Sequence, residues 1–113
     1  MQEKLILPKA CSDADPSWFG FLITCKDGVD RNALVRYLEN RNIQTRMLFA
    51  GNLTKHPCFD QMRESGRGYR VVGELTNTDI IMNHSFWIGV YPGMTKEMLN
   101  TMVQAIHEGI AQQ

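Results

Sequence analysis

Arg46 and Asn52 are the residues of this chain whose types and placing best suit contact with a polar or anionic ligand. Arg46 falls in a strand-like run, Thr45-Arg46-Met47-Leu48-Phe49, on the face shared with Leu48. A guanidinium there needs a partner: an acid of this chain, an acid of another domain, or a substrate oxygen. Asn52 follows in a Gly51-Asn52 turn, where it either adopts a left-handed backbone or aims its amide at a ligand. Trp87 and Tyr91 are spaced to project from one face of a later strand, with Gly89 leaving a shallow gap between them and Trp18 able to join. Core or interdomain packing is the commoner use of such rings, and stacking on a base or a sugar is the alternative.

Other constellations are weaker. His56, Cys58 and His84 invite a metal reading, but no C-x-x-C or paired-His spacing exists, and Pro57 restricts the backbone between the first two. Cys58 lies beside His56 and Lys55 as a nucleophile would, yet an ordinary loop thiol has the same neighbours. Gly66-Arg67-Gly68 lacks the preceding strand and the G-x-x-x-x-G-K-[ST] spacing of a phosphate loop, which leaves Arg63, Arg67 and Arg70 as contacts for a phosphate or a neighbouring domain.

These residues must be held by a small set of elements. Trp18 to Lys26 alternates, with Phe19, Phe21, Ile23 and Cys25 on one face, which predicts a strand. Asp27-Gly28 turns the chain, Asp30 caps a helix over Arg31 to Arg41 with Leu34, Tyr37 and Leu38 inward, and Asn42 supplies a left-handed stop. Gln44 to Phe49 is the second strand. Five glycine and proline positions between Ala50 and Gly73 predict a long loop with at most a helical turn after Pro57. Thr76 to about Asn83 is a short helix and Phe86 to Tyr91 the third strand. A last helix runs from Lys96 to about Ala111, with Met98, Leu99, Met102, Val103, Ile106 and Ile110 on one stripe.

A β-α-β-(short α)-β-α order favours a split arrangement: three mostly antiparallel strands, the third inserted between the other two, with helices packed on one face. The predicted core is Phe19, Phe21, Leu34, Leu38, Leu99, Val103 and Ile106. Length fits one α+β domain: 113 residues bury a single core. Twelve basic side chains balance twelve acidic ones, so there is no field to hold nucleic acid. Three irregularly spaced cysteines point to a reducing compartment, the cytosol, and no apolar run is long enough for a signal peptide or a membrane span.

Four stretches together carry a family resemblance: Asp15 to Phe21, Thr45 to Leu53, Tyr69 to Asp79 (Tyr-Arg-Val-Val-Gly-Glu-Leu-Thr-Asn-Thr-Asp) and Phe86 to Gly93. From about Leu5 to Ile110 the chain resembles the C-terminal small domain of the DegT-type, pyridoxal-phosphate-dependent nucleotide-sugar aminotransferase family, a fold-type I group. The Phe49-Ala50-Gly51-Asn52 turn is most similar to the branch of CDP-4-keto-6-deoxyglucose 3-dehydrases of lipopolysaccharide biosynthesis.

That resemblance implies a fragment of a larger, dimeric enzyme. The absent large domain would hold pyridoxamine or pyridoxal phosphate (PMP or PLP) and a [2Fe-2S] cluster, and an iron-sulfur flavin reductase would supply electrons. The substrate would be a CDP-linked sugar. Lys4, Lys9, Lys26, Lys55 and Lys96 match no Schiff-base position, so no catalytic, cofactor or metal residue is assigned here and the fragment alone is expected to be inactive. Arg46, Phe49 and Asn52, with Trp87 and Tyr91, carry over as a wall of the substrate cleft. The rival readings are the small domain of a sugar aminotransferase and a stand-alone αβ interaction module.

Overall fold

In the computed structural model, which describes residues 3–113, the order of elements follows that plan with additions. The strands are β1 (Leu5–Ile6), β2 (Gly20–Cys25), β3 (Thr45–Met47) and β4 (Ser85–Gly89). The helices are α1 (Arg31–Glu39), α2 (Asp60–Ser65), α3 (Thr76–His84) and α4 (Lys96–Ala111), with 3-10 turns at Leu53–Lys55 and Pro57–Phe59. The sheet order is β1-β2-β4-β3, antiparallel throughout. The late strand is therefore central, as the split arrangement requires. The addition is β1, a two-residue edge strand too short to announce itself by alternation.

Register explains the two faces. Ile23 pairs with Phe86 and Phe21 with Ile88, while Leu22 pairs with Trp87 and Arg46 with Trp87. The first set meets Leu34 and Leu38 of α1 and Ile106 of α4 in the core; Ile23, Phe86, Leu34 and Leu38 are all fully buried. Each such side chain contributes about 1.5–3 kcal/mol relative to exposure. Asp30 caps α1 by accepting from Asn32 N and Ala33 N, Asn42 ends the segment at φ 60°, and Thr95 caps α4. At the α1–α4 crossing a Cβ on Gly109 would come within 2.8 Å of both Leu34 Cδ1 and the Tyr37 ring, so only glycine permits this approach.

Several expectations need correction. Phe19 is 77% exposed, because the chain enters the sheet only at Gly20. Leu99 and Val103 are about half exposed, since they border an open groove against β2 and β4; Ala105, Ile106, Gly109 and Ile110 are the buried part. Leu99 and Val103, with Leu7, Phe21 and Ile88, flank this apolar groove of about 230 Å³. The strand Phe86 to Tyr91 stops at Gly89 because its ladder partners run out at Gly20 and Thr45. The strand Gln44 to Phe49 stops at Met47. The loop after Ala50 holds more helix than a single turn. Finally, α3 leaves the face of α1 and α4: its Ile80 and His84 share a groove with Ile6 and Thr24 on the other side of the sheet.

Candidate functional site

The sheet face opposite α1 and α4 carries Trp87 and Arg46, paired in register, with Phe49 beside them. Trp87 packs closely on Gly20, whose added Cβ would fall 2.0 Å from Trp87 Cε3. The indole Nε1–H donates to the Met47 carbonyl at 3.2 Å, so the ring is fixed at its edge as well as beneath. Phe19 packs against it with centroids 5.0 Å apart and planes tilted by 44°. Trp18 joins the group, as the spacing allowed, and Leu22, Leu48 and Phe49 complete a cleft of about 160 Å³.

Phe49 reaches that cleft by leaving the strand. Its N–H donates to Met47 O at 2.8 Å, its φ is +47°, and its side chain is 79% exposed. A left-handed backbone costs an L-residue of this kind on the order of 1–2 kcal/mol, so the surrounding turn must impose it. Gly51 (φ +62°) is the second left-handed residue, packed so closely on Met82 that a Cβ would fall 2.5 Å from Met82 Cγ.

Arg46, at the middle of β3, is exposed. Its Nη1 donates to Thr45 O at 2.9 Å, and the Gln44 amide oxygen, turned toward it, accepts from Nη1 at 3.2 Å and Nη2 at 2.9 Å. Among the described residues it joins no ion pair. The acid that feels it is Glu39, whose carboxyl is held below its usual range chiefly by the Thr45 hydroxyl, then by the Thr45 N–H, with Arg46 a smaller influence. Three of the five guanidinium N–H groups are thus engaged locally, and Nε–H with the second Nη2 hydrogen remains for another group.

Asn52 has a different place from either expected one. It is extended (φ −83°) rather than left-handed, and 2% exposed. Its Oδ1 accepts from Thr54 N at 3.1 Å and Thr54 Oγ1 at 2.7 Å, while Nδ2 donates to Asp79 Oδ1 at 2.8 Å. Asp79 also takes Lys55 Nζ at 2.8 Å, and Lys55 first, then Asn52, hold its carboxyl below the usual range. Asn52 thus ties the turn after β3 to α3. Tyr91 is separated from Trp87: it lies past the end of β4, its hydroxyl 3.8 Å from Met98 Sδ, lining another groove with Arg41 and Met94.

Arg31 was not singled out by sequence reasoning. Its guanidinium donates to Ser85 O at 2.8 Å, Met82 O at 3.3 Å and Met47 Sδ at 2.6 Å, joining α1 to the end of α3 and to β3. Its contacts are 16 to 54 residues away in sequence, and no local pattern signals them. Asp79 was missed for the same reason, although the Asn52 turn that it holds was not. All five lysines are solvent-exposed. These side chains do not fit the enclosed amine that a covalently held aldehyde cofactor requires.

Residues 1–107 match the model of the DegT/DnrJ/EryC1/StrS aminotransferase family. The chain is 50% identical over 109 residues to a dTDP-4-dehydro-2,6-dideoxy-D-glucose 3-dehydratase of Saccharopolyspora spinosa, covering 95% of this chain and 22% of that protein. It is 54% identical over 108 residues to the lipopolysaccharide biosynthesis protein RfbH of Salmonella typhimurium, covering 94% and 24%. The chain thus spans about a quarter of the length of these curated relatives. In fold it is similar to the GDP-4-keto-6-deoxymannose-3-dehydratase ColD H188N mutant with bound GDP-perosamine (TM-score 0.76, 22% identity, 91% of this chain and 26% of that one). It is also similar to the aminotransferase TlmJ of Streptoalloteichus hindustanus (TM-score 0.75, 15% identity, 97% and 27%). On the match over residues 1–107 and the identities of its relatives, the chain belongs to the DegT/DnrJ/EryC1/StrS aminotransferase family.

Proposed function

We propose that this chain is the C-terminal small domain of a nucleotide-sugar 3-dehydrase that removes the C3 hydroxyl of CDP-4-keto-6-deoxyglucose on the route to O-antigen dideoxysugars. The observation that carries the reading is the 50% and 54% identity, over nearly the whole chain, to a protein named as a sugar 3-dehydratase and to a lipopolysaccharide biosynthesis protein. A CDP-linked substrate is the finer part of the proposal and rests on the sequence of the Phe49–Asn52 turn. The [2Fe-2S] cluster, the flavin reductase, a dimeric full-length enzyme and a cytoplasmic location belong to the same reading.

Pyridoxamine or pyridoxal phosphate supplies the electron sink for breaking the C3 bond, and in this proposal residues outside this chain hold it. This chain contributes a wall. Arg46, with no acid partner among the described residues, offers paired N–H donors to an anionic substrate group. Trp87 and Phe49 shape the apolar floor beside it. Asn52 positions the turn through Asp79 rather than by touching substrate, and Tyr91, in a separate groove beside Met98, takes no part in this wall.

The test is a full-length enzyme carrying Arg46→Ala, assayed on CDP-4-keto-6-deoxyglucose. A lost charge-assisted contact is worth roughly 1.5–3 kcal/mol, so kcat/KM should fall about tenfold or more while the melting temperature holds. Parallel loss of melting temperature would make Arg46 architectural. An amino-sugar product from the unmodified enzyme would make it an aminotransferase, and inactivity on any nucleotide sugar would overturn the proposal.

A further inference from the structure

Arg31 opens α1, a place where a cation works against the helix macrodipole and where Asp30 already takes the free N–H groups of Asn32 and Ala33. Its side chain serves other elements. Nη1 donates to Ser85 O at 2.8 Å and Nη2 to Met82 O at 3.3 Å, carbonyls at the end of α3, where a helix runs out of backbone donors. Nη1 also meets Met47 Sδ at 2.6 Å, and Asn32 Oδ1 takes the Nε–H at 2.8 Å. Among the described residues Arg31 joins no ion pair. Because α3 has no buried residue, polar contacts such as these, rather than the core, fix where it lies.

The two residues that Arg31 reaches, Met47 and Met82, flank the turn after β3. Met47 O takes the Phe49 N–H at 2.8 Å and the Trp87 indole N–H at 3.2 Å. On the other side, Asn52 N donates to Met82 Sδ at 3.4 Å, and a Cβ on Gly51 would lie 3.1 Å from Met82 Cα. Between them Phe49 (φ +47°) and Gly51 (φ +62°) hold left-handed conformations that the surroundings must impose. A guanidinium carries its donors in a rigid planar fork, so one side chain fixes the separation of Met47 from the end of α3. Asp79 secures Asn52 separately, at 2.8 Å. Loss of Arg31 therefore loosens this turn without dissolving it.

Resting on the proposed function, in which the turn walls the substrate cleft, we infer that Arg31 is a positioning residue of the site, setting the Phe49–Asn52 turn by bridging Met47 to the end of α3.

Amide hydrogen exchange, followed by NMR in the 113-residue chain, tests the bridge. In Arg31→Met the Phe49 and Asn52 amides and the Trp87 indole N–H should exchange about tenfold faster or more, the scale of one lost charge-assisted hydrogen bond, while amides of the β2–β4 ladder hold their rates. Arg31→Lys keeps the stem and the charge but lacks the fork, so it should behave like Arg31→Met at the turn. If circular dichroism shows Arg31→Met unfolded, the lysine variant carries the test. Unchanged turn exchange, or turn and ladder rates that rise together, would overturn the inference. The second readout is kinetic. In a full-length enzyme Arg31→Lys should raise KM for the nucleotide sugar about tenfold and lower kcat far less. An unchanged KM in an enzyme that turns over its nucleotide sugar also overturns the inference. Fast turn exchange in the variants, alongside an unmodified full-length enzyme that processes no nucleotide sugar, sinks the proposed function and leaves the bridge standing.

Discussion

Arg46 and Asn52 looked alike in sequence, two polar residues near a strand end, and the structure separates them by burial. Arg46 is exposed and its bonds are to its own strand, so its removal should spare folding. Asn52 is buried with both amide atoms engaged, so Asn52→Ala should lower the melting temperature of the 113-residue chain while Arg46→Ala leaves it within experimental scatter. Leaving the buried partners of Asn52 unsatisfied costs about 1–3 kcal/mol, readable in urea titrations of both variants. Nothing in a Gly-Asn pair reveals which outcome holds, because Asp79, which decides it, is 27 residues away. The cysteines were more legible. Cys25, on the inward side of an alternating run, is buried, and that burial pushes its thiol up to about 11, whereas Cys11 and Cys58 are exposed. An aromatic disulfide reagent at neutral pH should therefore titrate two thiols quickly and the third only on unfolding.

Elements read well where local chemistry is self-sufficient. The α1 cap at Asp30, the left-handed stop at Asn42 and the Thr95 cap of α4 are decided within a few residues, and they stand where expected. Strand ends did not, since a strand stops where its partner stops: β3 supplies only three residues, and β4 cannot extend to Tyr91 without them. The heptad-like stripe of α4 is continuous in sequence but only its second half is closely packed, against Leu34 and Tyr37 of α1, whereas Leu99 and Val103 border an open groove and lie half outside. That second half depends on Gly109. Gly109→Ala gains up to about 1 kcal/mol of helix propensity, yet the new methyl meets the Leu34 and Tyr37 side chains, and overpacking of this kind costs about 1–3 kcal/mol. The expected net result is destabilisation, larger for Gly109→Val, measured by chemical denaturation.

At the scale of the molecule, the radius of gyration is 16.8 Å, against about 13 Å for an ordinary globule of this length. Two stretches lie outside the core: every residue from 9 to 19 and from 61 to 74 is exposed, including Trp18, Tyr69, Val71 and Val72. Charge sets the acid limit of the whole. Asp30, Glu39, Asp79 and Glu108 all have carboxyls held below their usual range, by the Ala33 N–H, the Thr45 hydroxyl, Lys55 and Gln104 respectively as the first causes. A depressed folded pKa stabilises above the unfolded value near 4, and that contribution is lost as pH falls through the folded value. Melting temperature should therefore be flat from pH 7 to about 5 and drop below about 4, with a shallower drop in Asp79→Asn. The central position of β4 has one more consequence, in time rather than space. Leaving a ribosome N-terminus first, β2 emerges with only the two-residue β1 to pair with and β3 with no strand at all, because the strand that lies between them begins only at Ser85. Loop closure over that distance is slow compared with a local hairpin. Nascent chains stalled before Ser85 should thus stay open to protease throughout, and protection of residues 20–25 should arrive in one step once Gly89 has cleared the exit tunnel.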